Sequence, residues 1–199
     1  MRIGIDIDDT LTDIKDLLWE QACIYTKSIN KQIPDDDKIK NGLNGNMSDF
    51  YKTSFGWIDE ELIYFFRNER VKVIDKAIPR KNVKEVLDKL KQDEHEIYII
   101  TARAFKFDDI PYERAKNWLD KNELTYDKLI VNAIDKAKIC LEERIDIFID
   151  DQLNNCLAVS NEGIPTIRFI DKSQKCDSFV SMNDWQEIYE YINKELKNK

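Results

Sequence analysis

The chain is poor in the residues that build several common kinds of functional site. It has one histidine, His95, and only five glycines among 199 residues. A single histidine cannot supply a histidine-rich metal site, and no GxGxxG follows the first apolar run, so a dinucleotide-binding turn is not expected. The four cysteines are scattered and form neither a CxxC pair nor a Cys/His cluster. This argues against structural zinc and against a disulfide framework.

Basic charge and long apolar segments are also scarce. The chain has 31 Lys and Arg residues against 39 Asp and Glu residues, a formal net charge of −8. It therefore has no basic surplus for binding a nucleic-acid polymer. No apolar run approaches the ~20 residues of a membrane span, and no secretory leader pattern is present. We expect no membrane partner and a cytoplasmic location with reduced thiols.

Short apolar runs recur along the chain, and their apolar character on both faces is typical of a parallel sheet buried by helices. They are residues 3–7, 96–100, 128–131, 146–149 and 166–170. Helical spacing fills the intervals, and Pro79 and Pro111 are expected to start two of the helices. This alternation predicts an α/β fold with a doubly wound, mainly parallel, Rossmann-like sheet.

The segment between the first two predicted strands has a different character. It shows helical periodicity, no clear strand, and seven aromatic residues between positions 50 and 66. We expect a small helical cap over residues 14–78, inserted after the first strand of a core domain formed by residues 1–13 and 79–199. The aromatic residues are expected to form the core of this insert rather than a surface for stacking bases.

The segment Asp6-Ile7-Asp8-Asp9-Thr10 follows directly after the first apolar run. Residues i and i+2 of an extended chain point to the same side, so the carboxylates of Asp6 and Asp8 are expected to project together. Two carboxylates held this close repel each other unless a cation neutralises them. Hard divalent cations such as Mg²⁺ prefer oxygen ligands of this kind, so the segment predicts a metal site.

Other reactive side chains follow the later strands. Thr101-Ala102-Arg103 follows the second strand, Asp150-Asp151 follows the fourth, and Lys136 lies on the segment leading to the fourth. The carboxyl ends of parallel strands meet at one edge of the sheet, where ligands bind in such folds. These residue types suit phosphoryl transfer, with an aspartate as nucleophile, a second acid moving the proton, and Mg²⁺, a lysine and a hydroxyl holding the phosphate oxygens.

Together these segments resemble the four sequence motifs of the haloacid dehalogenase (HAD) superfamily, in their usual order. The resemblance covers nearly the whole chain when the insert is counted as a cap. The matching residues are Asp6, Asp8 and Thr10, then Thr101, then Lys136, and finally Asp150 with Asp151. The resemblance implies that Asp6 is the nucleophile and Asp8 the general acid and base. It also implies that Asp6, Asp150 and the backbone carbonyl of Asp8 hold Mg²⁺, while Thr101 and Lys136 bind phosphate.

Three segments look more like one branch of that superfamily, the cytosolic-type 5′(3′)-deoxyribonucleotidases of the 5′-nucleotidase type C group. They are Asp-Ile-Asp-Asp-Thr-Leu at 6–11, Ile-Thr-Ala-Arg at 100–103 and Ile-Asp-Asp at 149–151. This closer resemblance implies a small phosphate ester as partner, with a nucleoside 5′-monophosphate as the first choice. A sugar phosphate or other metabolite phosphate stays open, as does a signalling receiver that accepts a phosphoryl group. A homodimer is also left open.

Two assignments within this set have alternatives. Lys138 competes with Lys136 for the phosphate, and Lys136 is favoured because Asp135-Lys136-Ala137 resembles the Asp-Lys-Thr of the nucleotidase group. Arg103 is expected either to reach the substrate or to brace Asp151. Asp151 itself is expected to orient neighbouring groups rather than to touch the metal.

Overall fold

The structure is a computed structural model that describes residues 1–34, 47–170 and 180–196. Cys23, Cys140 and Cys156 are free thiols, and Cys176 lies outside the described residues. None of the described helices is both long enough and apolar enough to cross a membrane.

Six strands form one sheet in which every neighbouring pair is parallel. They are β1 (Arg2–Ile5), β2 (Glu96–Ile100), β3 (Lys128–Ile130), β4 (Ile147–Asp150), β5 (Thr166–Phe169) and β6 (Val180–Met182). Their order across the sheet is β3-β2-β1-β4-β5-β6. The predicted doubly wound parallel sheet is confirmed. The edge strand β6 was not predicted, because its three residues are only half-buried and carry no apolar run.

The centre of the sheet positions the site. Strand β1 lies between β2 and β4, and Ile5 pairs with Ile99 on one side and Ile149 on the other. All three side chains are fully buried in the main apolar core. The strand order reverses between β1 and β4, and in doubly wound folds the crevice beyond this reversal binds ligands.

Helices cover both faces of the sheet and make up most of the described residues between β1 and β2. They are α1 (Lys15–Ser28), α2 (Met47–Phe55), α3 (Asp59–Tyr64), a π-helical segment (Phe65–Arg70), α4 (Val71–Ile74), α5 (Val83–Gln92), α6 (Pro111–Lys121), α7 (Lys136–Glu142), α8 (Leu153–Asn161), α9 (Trp185–Tyr191) and a second π-helical segment (Ile192–Leu196). Pro111 starts α6 as predicted. The prediction for Pro79 is wrong, because Pro79 forms an isolated bridge with Thr12 and α5 begins only at Val83.

The helical insert (the described residues between 14 and 78) has its own aromatic core. Its buried members are Ala22, Tyr25, Tyr51, Phe55, Trp57, Leu62, Phe65 and Phe66. The prediction is confirmed for five of the seven aromatic residues between positions 50 and 66, whereas Phe50 is partly buried and Tyr64 is 51% exposed. The insert also contacts the loop after β2, where the rings of Phe66 and Phe107 lie 4.7 Å apart. On the same side Arg67 donates to the carbonyls of Phe105 and Lys106 at 3.4 and 3.3 Å.

Candidate active site at the carboxyl edge of the sheet

Asp6 and Asp150 lie side by side where the strand order reverses. Asp150 ends β4, and the backbone N–H of Asp6 donates to the carbonyl of Ile149 at 3.0 Å, which continues the pairing of β1 with β4. The ammonium of Lys136 lies between the two carboxylates, 2.6 Å from Asp6 Oδ1 and 2.5 Å from Asp150 Oδ2. All three side chains are buried. Three predicted site residues from distant parts of the chain thus form one hydrogen-bonded group.

The position of Lys136 depends on the start of α7. Asp135 caps this helix by accepting a hydrogen bond from the backbone N–H of Lys138 at 3.0 Å, so Lys136 is the first helical residue. Lys138 lies on the opposite, solvent-facing part of the helix, where its side chain is 67% exposed and pairs with Glu142. Of the two competing lysines, only Lys136 reaches the carboxylates.

The charges of this group perturb one another. Burial disfavours the ionised form of Asp6 and raises its pKa to about 7. Lys136 opposes this rise, whereas Asp150 and Asp8 add to it. Burial also disfavours the charged form of Lys136, but the carboxylates of Asp150 and Asp6 outweigh it and raise the lysine pKa well above its ordinary value. The lysine is a permanent cation, and a single cation does not neutralise the surrounding carboxylates.

Asp150 is held by further donors that follow it in the chain. The backbone N–H of Gln152 donates to Asp150 Oδ1 at 2.8 Å, and the Asn155 amide reaches both carboxylate oxygens at 3.1 Å. Sequence reasoning missed Asn155. Its place in the first turn of the helix after β4 is the signal that could have indicated a partner for Asp150.

Asp151 accepts a hydrogen bond from the Gln152 side chain at 2.7 Å. Burial, and to a lesser extent repulsion from Asp150, raises the pKa of Asp151 well above its ordinary value.

Asp8 lies between two arginines, both of which donate to its carboxylate. Arg103 donates to both of its oxygens, from Nε at 3.2 Å and from Nη2 at 2.7 Å. Arg70 of the helical insert donates to Asp8 Oδ2 from Nη2 at 2.6 Å. Burial disfavours ionised Asp8, but the positive charges of Arg103 and then Arg70 outweigh it, so the pKa of Asp8 lies well below its ordinary value.

The two arginines change the sequence-based account in two ways. Of the two alternatives for Arg103, bracing of Asp151 is wrong, because the side-chain hydrogen bonds of Arg103 go to Asp8. The sheet order explains the difference, since β2 neighbours β1 and lies one strand further from β4. Arg70 was not predicted at all. It lies 62 residues from Asp8 in a segment whose pattern indicated only helix.

Asp9 connects the site to the helical insert. Its backbone has a φ of 60°, in the left-handed region, and its Oδ1 accepts from the N–H groups of Ile14 and Lys15 at 3.1 and 2.9 Å. Aspartate tolerates this conformation better than most residues. Burial raises the pKa of Asp9 to about 6, although the hydrogen bond from the backbone N–H of Ile14 acts to lower it. The turn that presents Asp8 therefore also fixes the start of α1.

Thr101 directly follows β2 and is buried at the same edge of the sheet. Its backbone N–H donates to Ile130 of β3 at 2.9 Å, and its carbonyl accepts from Ala133 at 3.0 Å. Within the described part of the chain, its hydroxyl accepts one long hydrogen bond, from the backbone N–H of Arg103 at 3.4 Å. This leaves the hydroxyl able to bond a further partner.

The carboxylates of this site offer oxygen ligands to a divalent metal ion. In the described part of the chain, no three His, Cys, Asp or Glu side chains are grouped as a metal site. Asp6 and Asp150 nevertheless bring carboxylate oxygens together, and mutual repulsion helps to raise the pKa of Asp6. Hard oxygen ligands with excess negative charge suit Mg²⁺. The side chains of Asp6 and Asp150 therefore suit Mg²⁺ as ligands. The side chain of Asp8 is instead hydrogen-bonded to Arg70 and Arg103.

The chain is similar to known hydrolases in sequence. Residues 3–108, more than half of the chain, match the family model described as haloacid dehalogenase-like hydrolase. The chain is 29% identical over 199 residues to "Putative nucleotidase YqfW" of Bacillus subtilis, with 97% of this chain and 94% of that protein covered. It is 26% identical over 200 residues to a nucleotidase of Clostridium acetobutylicum, with 98% and 94% covered.

Solved structures share the fold. A haloacid dehalogenase-like family hydrolase from Streptococcus pneumoniae superposes with a TM-score of 0.74 at 18% identity, and the match covers 96% of this chain and 97% of that chain. The crystal structure of a "predicted phosphatase" from Clostridium acetobutylicum gives a TM-score of 0.73 at 15% identity, with 97% of this chain and 98% of that chain covered. At these identities the likeness concerns the fold alone.

Proposed function

Because this chain belongs to the haloacid dehalogenase-like hydrolases, we propose that it is a Mg²⁺-dependent phosphomonoester hydrolase that acts on nucleoside 5′-monophosphates through an aspartyl-phosphate. The observation that carries the proposal is the group formed by Asp6, Asp150 and Lys136 at the reversal of the strand order. Lys136 lies within hydrogen-bond distance of both carboxylates, which supports roles for Asp6 as nucleophile, Asp150 as metal ligand and Lys136 as phosphate-binding cation.

The proposed reaction has two steps. In the first, a carboxylate oxygen of Asp6 attacks phosphorus. The bond from phosphorus to the leaving oxygen breaks as Asp8, which must carry a proton in the substrate complex, gives that proton to the oxygen. In the second, water attacks the phosphorus of the aspartyl-phosphate and returns a proton to Asp8. The bond from Asp6 to phosphorus then breaks, and inorganic phosphate leaves. Asp6 and Asp8 are both restored, so the cycle balances.

Asp6, Asp150 and the backbone carbonyl of Asp8 would hold Mg²⁺. The ion supplies positive charge that offsets the negative charge gathering on the phosphate oxygens. Lys136 contributes a fixed charge of the same sign, and the weakly bonded hydroxyl of Thr101 supplies a hydrogen-bond donor. Arg103 holds Asp8 in place through two hydrogen bonds.

We further propose that residues 14–78 act as a cap over a core of residues 1–13 and 79–199. The contact between Phe66 and Phe107 and the bonds from Arg67 place the insert beside the loop after β2. A cap in this position would exclude water from the aspartyl-phosphate and select the leaving group.

The substrate class is supported by the relatives. Those from Bacillus subtilis and Clostridium acetobutylicum carry nucleotidase names and are covered over 94% of their length. The chain carries a net charge of −8, so a small phosphate ester suits it better than a polyanion.

The test is phosphate release from a panel of esters at equal concentration, with Mg²⁺ or with EDTA. The panel contains ribo- and deoxyribonucleoside 5′-monophosphates, the corresponding 3′-monophosphates, and sugar phosphates. We expect Mg²⁺-dependent turnover with the highest kcat/KM for a 5′-monophosphate. Turnover that survives EDTA would refute the metal-dependent mechanism, and a sugar phosphate at the top would replace the substrate. A stable phospho-aspartate without turnover would indicate a receiver instead.

A further inference from the structure

We propose that Arg70 of the helical insert and Arg103 of the core form a two-guanidinium site that binds the phosphate group of the substrate, with Arg70 exchanging Asp8 for a phosphate oxygen. The inference rests on the proposed function for the identity of the ligand, and it assigns a substrate-binding residue to the insert.

The first observation is that both guanidiniums share one carboxylate. Arg103 donates twice to Asp8 and Arg70 once, and all three distances lie between 2.6 and 3.2 Å. Both side chains are more than nine-tenths buried. Two buried guanidiniums therefore converge on one carboxylate, and a phosphate oxygen could replace that carboxylate as the acceptor for Arg70.

The second observation is that each guanidinium has an unused donor. Arg70 Nε and Arg103 Nη1 are buried, and neither has a hydrogen-bond partner among the described residues. A buried unpaired donor of a charged group is costly and is rare in folded proteins. A phosphate group has several acceptor oxygens, and guanidiniums match it with parallel hydrogen bonds. One phosphate between the arginines would satisfy donors that Asp8 alone leaves unpaired.

The surroundings of Arg70 also restrict its side chain. Its guanidinium lies over the ring of Phe66, 5.5 Å from the centroid, which restricts its orientation. It lies in the π-helical segment Phe65–Arg70, and such segments are frequent at functional sites.

A purely structural role for Arg70 would be to attach the insert to the core. Other contacts already do this. Arg67 bonds the loop after β2, Arg114 pairs with Asp75 at 2.6 Å, and the indole of Trp118 donates to the carbonyl of Ala77 at 2.8 Å. Attachment alone explains neither the unpaired donors nor the second guanidinium on Asp8. The geometry therefore favours ligand binding.

The test measures binding of inorganic phosphate by calorimetry, in the presence of Mg²⁺, to the full chain and three variants. Arg70→Gln should weaken the affinity by about 10- to 100-fold, the loss expected for a charge-assisted hydrogen bond. Arg70→Lys should weaken it less. The control Arg67→Gln removes an arginine one turn away that bonds the loop after β2 and not Asp8, and it should change the affinity by less than about twofold.

A double-variant cycle separates direct contact from an effect through Asp8. Asp8→Asn should bind phosphate more tightly than the original chain, because the competing carboxylate charge is gone. Adding Arg70→Gln to Asp8→Asn should remove that gain. If Arg70→Gln weakens binding only while Asp8 is present, the residue acts through Asp8 and the inference is overturned.

Thermal melting confirms that each variant is folded at the temperature of the titration. Unchanged phosphate affinity in Arg70→Gln, or no phosphate binding by the original chain at millimolar concentrations, also overturns the inference. The proposed function fails separately, if no ester is hydrolysed. Arg70-dependent phosphate binding without hydrolysis would support the anion site and reject the hydrolase. Hydrolysis by a chain whose phosphate affinity does not depend on Arg70 would support the hydrolase and reject the anion site.

Discussion

Asp6 and Asp150 accept hydrogen bonds from the same ammonium, that of Lys136, at 2.6 and 2.5 Å. The parallel pairing of β1 with β4 makes the two carboxylates neighbours, and the first residue of α7 delivers the lysine. The fold therefore concentrates like charges at one point and compensates them only in part.

Removing the shared ammonium should damage both stability and turnover. Lys136→Met leaves two buried carboxylates without their cation, and breaking a buried pair in this way costs about 3–5 kcal/mol. We expect that loss in the free energy of unfolding, measured by urea titration at pH 7.5, and at least about a 100-fold loss of kcat/KM. Lys138→Met is the matched control on the exposed side of α7 and should change stability by no more than about 0.5 kcal/mol. Equal effects of the two changes would contradict the assignment.

The two aspartates of the first motif should respond to substitution with opposite signs. Burial raises the pKa of Asp6 to about 7, so folded protein binds an extra proton between pH 4 and 7. The stabilising effect of that proton is complete below the ordinary pKa and is lost as the pH rises through 7. Without metal, Asp6→Asn should therefore gain about 1–3 kcal/mol at pH 8, and the gain should shrink toward pH 4.5.

Asp8 has a pKa far below its ordinary value, so its contribution is present above pH 4 and is lost only as the pH falls below that range. Asp8→Asn leaves Arg103 and Arg70 buried without a counter-charge and should lose about 3–5 kcal/mol at pH 7. Urea titrations of both variants between pH 4.5 and 8 give the comparison. A gain of stability in Asp8→Asn would show that its charge is not held by the arginines.

Magnesium should stabilise the folded protein through Asp6 and Asp150. Binding to the folded state raises the free energy of unfolding by about 2.7 kcal/mol at a concentration 100 times the Kd. We expect a rise in melting temperature with Mg²⁺ at pH 7.5 that EDTA reverses. Asp150→Asn should abolish this rise, whereas the exposed control Asp146→Asn should retain it. A full rise in Asp150→Asn would exclude Asp150 as a ligand.

Gly4 tests the packing beneath the site. A methyl group added there would lie 3.0 Å from a ring carbon of Phe148 and 3.1 Å from side-chain carbons of Ile100 and Ile145. Overpacking of this kind costs about 1–3 kcal/mol. Gly4→Ala should lose that amount in urea titration at pH 7.5, and a neutral result would show that β1 can shift within the sheet.

Much of this arrangement could be predicted because strand ends are visible in the sequence. The apolar runs before Asp6, Thr101 and Asp150 identified the parallel strands, and parallel strands bring their carboxyl ends to one edge. The resemblance to the nucleotidase group favoured Lys136 over Lys138. In the structure, the position of Lys136 depends on the cap at Asp135, which sets where α7 begins.

The remaining features depend on tertiary structure. The partner of Arg103 follows from the order of β2, β1 and β4, which local patterns do not specify. Arg70 reaches Asp8 only because the insert docks on the loop after β2, and its sequence neighbours indicate nothing beyond a helix. Strand β6 is short and half-buried. It is recognised as a strand by its pairing with β5 and not by its composition.

The most direct test of the account is phosphate release by Asp6→Asn with Mg²⁺ and the best ester of the panel. Asparagine preserves the shape of the residue but removes the nucleophilic oxygen anion, so we predict a loss of at least about 10³-fold in kcat. Thermal melting provides the control that the variant is folded. A folded Asp6→Asn that retains turnover within tenfold of the original chain would contradict Asp6 as the nucleophile.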